Sequence, residues 1–342
     1  MRFQSHPNRW PLGLALTIGL LSGTLYWAMF SVHHGSDFLV FHFASKVWLS
    51  GKNAYAIGLP IMRGSPHPVA EPFYYPFPAL VAIAPLTWMS VRVAGATFVG
   101  VSSGLLAFGV ARESTERLPI FLGAGFLVAA AMGQWSPFIT ATLVLPVLSP
   151  LAVIKPNLGL ATALAKPTAT RIIGGVLVLL VTLVFQPSWP AEWMRNLRAL
   201  PAHPAPVLVP GGSLVLLGLS RWRRPEARLL VAMACVPQLM YFADQLPLWL
   251  VARSRREGLF LSATSLVAWA IALEATTRAG VQPVLNSSPY VLAGVYFPAL
   301  VLVLRRPNSG ELPVRFERAI ASWPTWLRGE VKPEPSVERE VA

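Results

Sequence analysis

Two carboxylates stand out in this chain because they belong to its only aspartates, Asp37 and Asp244. Asp37 directly follows the first long apolar run, where a membrane helix would leave the lipid. A charged side chain at the bilayer centre costs about 2.5–3.5 kcal/mol on insertion scales, so acidic residues near membrane spans usually face protein or water and serve a function. A long polar and aromatic loop then ends in Tyr74-Tyr75-Pro76-Phe77-Pro78. This arrangement predicts a general base beneath an external loop.

Composition places the chain among membrane proteins. Its 342 residues are 54% hydrophobic and only 13% charged, with a mean hydropathy of +0.54. Soluble domains carry roughly 25% charged residues. The net charge of +13 does not indicate a nucleic-acid partner, because the arginines fall between apolar runs, as in cytoplasmic loops under the positive-inside rule. Cys235 is the only cysteine, which excludes a disulfide framework and a thiolate metal cluster.

Hydrophobic helices must position the two carboxylates. A spanning helix needs about 20 apolar residues, and such runs occur at 11–32, 93–111, 118–133, 135–153, 171–187, 207–220, 227–241, 244–252, 258–275 and 289–304. Shorter apolar pieces at 78–90 and 156–165 are expected to be half-helices or tilted spans. The fold class predicted is all-α, a polytopic membrane helical bundle with nine to twelve spans. Prolines interrupt these runs and are tolerated at membrane depth only where protein or water satisfies the freed backbone, which indicates an internal cavity.

Basic residues predict which parts of the chain lie inside. Arg2 and Arg9 precede the first span, so we expect a cytoplasmic amino terminus and a first external loop at 33–77. The basic segments 221–224 and 253–256 are expected inside, with Asp244 at the outer tip between them. A membrane domain would then cover residues 1–304, with a second external loop at 188–206. The charged segment 305–342 is expected to be a largely disordered cytoplasmic tail.

Residues 36–51 predict a helix in the first loop, capped by Ser36 or Asp37 and ended by Gly51. The simplest alternative role for Asp37 is therefore that of a helix cap.

Tyr74 and Tyr75 suit stacking on a sugar or lining a lipid groove, and equally suit anchoring at the membrane interface. Four histidines fall in or beside the same loop, at positions 33, 34, 42 and 67. They lack metal-ligand spacing with a carboxylate pair, so no metal site is predicted, and His34 could instead assist Asp37 or contact a phosphate.

Five short motifs, in order, resemble glycosyltransferase family 87 of the C-type superfamily of polytopic glycosyltransferases. The family's opening pattern resembles Ser36-Asp37-Phe38, Ala44 and the run from Leu49 to Tyr55. The other four motifs are Phe73-Tyr74-Tyr75-Pro76-Phe77-Pro78, Gly133-Gln134-Trp135-Ser136-Pro137, Ile154-Lys155-Pro156-Asn157-Leu158 and Tyr241-Phe242-Ala243-Asp244-Gln245. Phe77 between two prolines and Ser136-Pro137 in place of an asparagine region depart from the family pattern. The distance from Gln134 to Lys155 is also short for the family.

The resemblance implies an inverting transfer of a sugar, most often mannose, from a polyprenyl-phosphate donor to an acceptor hydroxyl on the outer side. Asp37 would be the general base. Lys155 would stabilise the phosphate leaving group or, alternatively, extend its amine to the membrane interface. Tyr74, Tyr75, Gln134, Asp244, Gln245 and His34 are the further candidates for donor and sugar binding.

The lipid-linked donor that the resemblance implies agrees with the lack of a nucleotide-binding loop in the sequence, and no cofactor is expected. A glycolipid or glycan would be the acceptor, with membrane lipids and a membrane protein as further partners. Residues 188–200 form an amphipathic pattern that predicts an interfacial helix. Arg195 on this helix could bind the donor phosphate or lipid headgroups.

Two other functions fit the same pattern. A transporter or flippase for a lipid-linked molecule also has broken helices and buried polar groups, although the chain shows no inverted repeat. A non-catalytic membrane subunit derived from the family would account for the departures from its motifs.

Overall fold

The structure is a computed structural model that describes residues 9–33, 36–57, 59–60, 70–199, 203–310 and 321–329. Within these residues the chain is almost entirely helical, and the one pair of strands is a two-residue antiparallel bridge between Leu59–Pro60 and Ala70–Glu71. The all-α prediction is therefore confirmed. The first-loop helix runs over Phe38–Leu49 and is followed by Gly51 with φ of +77°, so the expected glycine terminus is present.

The α-helices are, in chain order, α1 Arg9–His33, α2 Phe38–Leu49, α3 Phe77–Ile83, α4 Val91–Glu113, α5 Ala124–Met132, α6 Ser136–Val144, α7 Pro156–Ala165, α8 Ala169–Phe185, α9 Trp189–Ala199, α10 Pro225–Cys235, α11 Arg255–Arg278, α12 Pro283–Asn286, α13 Ser288–Val291, α14 Phe297–Leu304 and α15 Thr325–Arg328. Between them lie 3₁₀ segments at Ala84–Leu86, Thr115–Leu122, Pro146–Ile154, Pro206–Leu208, Gly212–Arg221 and Phe242–Val251, and a π-helical turn at Leu292–Tyr296.

Three helices in the described ranges are long and apolar enough to cross a membrane, at Arg9–Ser31, Val91–Glu113 and Arg255–Arg278. The number rises to five if each of two bent pairs, α8 with α9 and Thr115–Leu122 with α5, is counted as one span. This is consistent with a membrane protein. The predicted count of nine to twelve is larger because proline and glycine divide many apolar runs into short helices and 3₁₀ segments.

Small residues let α1 and α4 pack closely against each other. A Cβ added at Gly19 would lie 2.8 Å from the Gly100 carbonyl oxygen, and one at Gly23 would lie 2.9 Å from the Ala96 carbonyl oxygen. Such close backbone contact replaces the hydrophobic driving force that apolar lipid cannot supply between helices. The interface carries Tyr26, whose fully buried ring lies against Gly95, towards the end of α1 that leads to Asp37.

The two predicted external loops are joined to each other. Asn53 Nδ2 donates to Glu192 Oε1 of α9 at 2.7 Å, and Trp193 Nε1 donates to the Tyr74 carbonyl oxygen at 2.9 Å. Asn196 Nδ2 donates to the carbonyl oxygens of Tyr55 and Phe73. The predicted amphipathic helix is present as α9, and its Trp193 and Asn196 side chains hold the segment that carries Tyr74 and Tyr75.

The carboxyl-terminal segment is partly packed against the basic segment 221–224. Arg223 is fully buried, and its backbone N–H donates to Asn308 Oδ1 at 3.1 Å. Trp222 Nε1 donates to the Leu327 carbonyl oxygen at 2.8 Å. Residues 311–320 and 330–342 of the expected disordered tail lie outside the described residues, and for that part the expectation stays a prediction.

Changing Gly19 to alanine should destabilise the protein, although alanine is the better helix former. The new methyl group would press on the Gly100 carbonyl oxygen, and overpacking of this kind typically costs about 1–3 kcal/mol. Gly13 lies on the same helix with no atom within 4 Å of an added Cβ, so Gly13→Ala is the matched control. Thermal unfolding in detergent should show a lower midpoint for Gly19→Ala only. Equal midpoints for the two variants would contradict the proposed close packing.

Candidate active site

Four helix beginnings meet at one place in the fold. Asp37 immediately precedes α2, Gln134 lies two residues before α6, Lys155 immediately precedes α7, and Asp244 lies in the first turn of the 3₁₀ segment Phe242–Val251. Each of these helices has nine or more residues. Helix beginnings carry partial positive charge from their unpaired backbone N–H groups, which favours negative charge nearby. The surroundings are therefore suited to carboxylates and to anionic ligands.

These four side chains form a continuous chain of hydrogen bonds, which we call the quartet. Gln134 Nε2 donates to Asp37 Oδ2. Lys155 Nζ donates to Gln134 Oε1 at 3.3 Å and to Asp244 Oδ1 at 2.5 Å. Ser136 Oγ donates to the same Asp244 oxygen at 3.1 Å. Four of the five family-like motifs thus contribute a residue to one polar site.

The quartet is buried at one end and more open at the other. Asp244, Lys155 and Gln134 are 8%, 6% and 7% exposed, whereas Asp37 is only partly buried. Buried charges are tolerated when they are paired and hydrogen-bonded, which the Lys155–Asp244 contact satisfies. Asp37 is therefore the quartet residue that an incoming molecule can reach most easily.

The structure does not support the simple cap function for Asp37. The Asp37 side chain makes no capping hydrogen bond to α2 and accepts from Gln134 instead. Its backbone N–H donates to the Met132 carbonyl oxygen at 3.1 Å at the end of α5. The neighbouring Ser36 hydroxyl is hydrogen-bonded to the Tyr26 hydroxyl at 2.6 Å. The position of Asp37 is thus set by α1 and α5 rather than by the helix that it precedes.

Gly133 makes the close approach of Gln134 and Asp37 possible. It ends α5 in the left-handed conformation with φ of +70°, which favours glycine. A Cβ at this position would also lie 2.8 Å from the Tyr26 ring and 2.9 Å from the Phe38 Cβ. Both the turn and the contact therefore require glycine, which gives a physical reason for the Gly133-Gln134 sequence.

Aromatic rings pack α2 against the rest of the site. The Phe41 ring is 4.6 Å from the Tyr75 ring and 5.6 Å from the Trp135 ring, and the Trp135 ring lies 4.7 Å from Phe98 of α4. Burial raises the pKa of Tyr75 well above its ordinary value, and the charges of Tyr74, Asp244 and Asp37 act in the same direction. Tyr75 is thus a neutral phenol.

The other predicted site residues are placed differently. Gln245 is fully buried, and its amide is bonded to Gln238, Tyr241 and Tyr296 rather than to the quartet. Tyr74 stacks at 5.0 Å on Tyr75. Arg195 is exposed on α9 and forms no ion pair with any residue that the structure describes. His34 lies outside the described residues.

An apolar groove is lined by residues next in sequence to two of the predicted site residues. It has a volume of about 390 Å³ and lies between α7, α8 and the 3₁₀ segment Pro146–Ile154, with two tryptophans of α9 at one end. Pro156 and Pro76, the residues after Lys155 and Tyr75, both line it. The groove thus includes residues of two of the site motifs, although no quartet side chain lines it. A second, smaller pocket of about 100 Å³ lies at Glu113, Arg117, Lys166 and Arg253, away from the quartet residues.

Sequence reasoning missed Ser136 as a partner of Asp244. Its position was visible in the motif Gly133 to Pro137, but there it appeared only as a departure from the family pattern. It also missed Tyr26 and Ser36 as supports of Asp37. No sequence signal marks these residues, since tyrosine and serine are common in and beside membrane helices.

Comparison with family models, with curated proteins and with solved structures gives no match for this chain. Among the residues described, no three His, Cys, Asp or Glu side chains are grouped so that they could hold a metal ion. The resemblance to glycosyltransferase family 87 therefore stays a prediction.

Removing one member of the Lys155–Asp244 pair should be far more damaging than removing both. Lys155→Met or Asp244→Asn leaves one buried charge without its partner, which typically costs about 3–5 kcal/mol, whereas apolar replacement of both partners is often close to neutral. We therefore expect the double variant Lys155→Met/Asp244→Asn to be more stable than either single variant. Denaturant unfolding in detergent measures this coupling, and additive losses would show that the two charges do not interact.

Gly133→Ala should destabilise the protein more than the same change at Gly51. Both glycines have positive φ, but an added Cβ at Gly51 meets no atom within 4 Å. Gly51→Ala therefore reports the backbone strain alone, about 1–2 kcal/mol for a left-handed residue, and Gly133→Ala adds the contacts with Tyr26 and Phe38. Equal unfolding midpoints for the two variants would show that the site tolerates a side chain at 133.

Proposed function

We propose that this protein is a membrane glycosyltransferase that moves a hexose, mannose by the family resemblance, from a polyprenyl-phosphate donor to an acceptor hydroxyl on the outer side, with inversion. The quartet is the observation that carries the proposal. It joins a partly exposed carboxylate to a buried ammonium group through a fixed amide, which supplies a base and a cation in one site. The C-type architecture is part of this proposal.

In the proposed reaction Asp37 accepts the proton of the acceptor hydroxyl while that oxygen attacks the anomeric carbon of the sugar. The new bond joins the acceptor oxygen to the anomeric carbon, and the bond between that carbon and the phosphate oxygen breaks. The leaving group is the polyprenyl phosphate. Gln134 holds one Asp37 oxygen, so the orientation of the base is set before the acceptor arrives.

The leaving phosphate requires positive charge, and two features support its binding here. Lys155 has three N–H donors, of which Gln134 and Asp244 engage two. The beginnings of α6 and α7 add partial positive charge, as at other phosphate sites. Phosphate binding needs this added positive charge because the quartet itself has only one ammonium group and two carboxylates. In this proposal Lys155 holds Asp244 and offers its remaining donor to the phosphate.

The apolar groove supports a lipid-linked donor. Its lining includes Pro156, the residue after Lys155, and Ile172, Val176 and Leu179 of α8. A phosphate near Lys155 would thus have an apolar channel beside it for its hydrocarbon chain. A sugar nucleotide would gain nothing from such a surface, since its base and ribose are polar.

The excess of one negative charge in the quartet also favours a second candidate function, the transport of a lipid-linked molecule coupled to a proton or cation. Broken helices whose ends meet at an ionisable site are common in transporters. A transporter would move the intact lipid-linked sugar between the two leaflets of a vesicle and would form no new glycosidic bond. The glycosyltransferase is preferred because the partly exposed carboxylate of Asp37 suits a base that an acceptor hydroxyl can reach.

Asp37→Asn should abolish sugar transfer while leaving the protein folded. An amide cannot accept the proton, and loss of a general base typically lowers turnover by about 10²- to 10⁴-fold. The measurement uses purified protein in detergent with labelled polyprenyl-phosphate mannose and a membrane lipid extract. Glu274→Gln is the control, because the same chemical change there affects an exposed pair with Arg278.

Transfer by the wild type and by Glu274→Gln, with none by Asp37→Asn, would support the proposal. Near-normal turnover by Asp37→Asn would refute the assignment of the base. Saturable binding of the donor with no transfer by the wild type would instead favour the transporter or a non-catalytic subunit, and movement of the labelled lipid in vesicles separates these two.

A further inference from the structure

Three buried side chains behind the quartet form a closed ring of hydrogen bonds. The Tyr296 hydroxyl donates to Gln245 Oε1 at 2.7 Å. Gln245 Nε2 donates to Gln238 Oε1 at 3.2 Å, and Gln238 Nε2 donates to the Tyr296 hydroxyl oxygen at 3.2 Å. All three residues are at most 3% exposed. Each group both donates and accepts, an arrangement in which the bonds strengthen one another in a low-dielectric interior.

An unusual backbone feature brings Tyr296 into this ring. The helical stretch Ser288–Leu304 contains the π turn Leu292–Tyr296, and π turns within helices occur frequently at functional sites. Gly294 in this turn packs against α11, where an added Cβ would lie 3.0 Å from the Thr264 carbonyl oxygen. The π turn and the contact of Gly294 with α11 thus determine the position of Tyr296 within the stretch Ser288–Leu304.

The ring is connected to the quartet through one backbone segment. Gln245 follows Asp244 directly, and all ten residues of the 3₁₀ segment Phe242–Val251 are buried. A 3₁₀ helix of this length has poor hydrogen-bond geometry and is uncommon, so its position depends on side-chain contacts. Within this segment the Gln245 side chain belongs to the ring, whereas Asp244 Oδ1 accepts from Lys155 and Ser136.

We infer that Tyr296 is a positioning residue for the quartet: through Gln245 it holds Asp244 at the distance at which Lys155 is paired and Gln134 orients Asp37. This inference rests on the proposed function for its effect on turnover, and on geometry alone for its effect on Asp244. Tyr296 makes no hydrogen bond to a quartet residue, so it acts through Gln245. A misplacement of about 1 Å at a reacting group can lower the rate by about 10²-fold.

The composition of the chain offers a direct measurement. Because Asp37 and Asp244 are its only aspartates, protein made with ¹³Cγ-labelled aspartate should give two carboxyl resonances, and loss of one in Asp244→Asn assigns them. Tyr296→Phe removes the hydroxyl and two of the three ring bonds. Tyr290→Phe is the matched control, since Tyr290 is close by in the chain and its hydroxyl has no hydrogen bond to a residue in the described ranges.

We expect Tyr296→Phe to move the Asp244 resonance and to lower kcat about 10- to 100-fold with little change in the KM for the donor, whereas Tyr290→Phe changes neither. Gln238→Met removes a different member of the ring and should have the same two effects. The test therefore stays decisive if Tyr296→Phe does not fold. An Asp244 resonance unchanged in both ring variants would overturn the inference. If the Asp244 resonance moves while kcat stays at the wild-type value, the inference that the ring matters for turnover is overturned.

The two proposals can fail separately. If the wild type shows no transfer but the Asp244 resonance moves in both ring variants, the positioning of Asp244 by the ring stands and the glycosyltransferase proposal falls.

Discussion

The contact between the Lys155 ammonium group and the Asp244 carboxylate is the interaction on which the site depends. Both residues are more than nine-tenths buried, where an unpaired charge would be very costly. They are stable together because the ion pair is completed by Gln134 and Ser136, while the helix beginnings around it favour the Asp244 carboxylate. Any arrangement of the bundle that separated these helix beginnings would leave a charge exposed to an apolar interior.

This requirement explains features that look unrelated along the chain. Close packing of α1 on α4 through small residues brings Tyr26 to Gly95 and to Ser36. Gly133 then lets the end of α5 approach α2, so that Gln134 meets Asp37. On the other side, the Gln238–Gln245–Tyr296 ring fixes the 3₁₀ segment that carries Asp244. These contacts together surround the helix beginnings at which the quartet residues lie.

Three residues of the quartet are buried and only Asp37, at one end, is partly exposed, and this contrast links stability to the proposed chemistry. The buried end supplies rigidity, since a paired charge with several hydrogen bonds cannot easily move. The partly exposed end lies beneath the first loop, which α9 holds in place through Asn53 and Tyr74. A base at the open end of a rigid polar chain is poised before its substrate binds, which is the condition for efficient proton transfer.

The sequence by itself determined the helical class, the membrane character, the first helix, the glycine-ended helix of the first loop and the amphipathic helix α9. These follow from apolar periodicity and from local conformational preferences, which act over a few residues. It also selected Asp37, Gln134, Lys155 and Asp244 as candidates. Only the tertiary structure decided that these four meet, because their hydrogen bonds join residues 21 to 97 positions apart. The tertiary structure likewise turned Gln245 away from the site and divided the apolar runs into short helices, since packing and proline geometry, rather than hydropathy, decide where a helix ends.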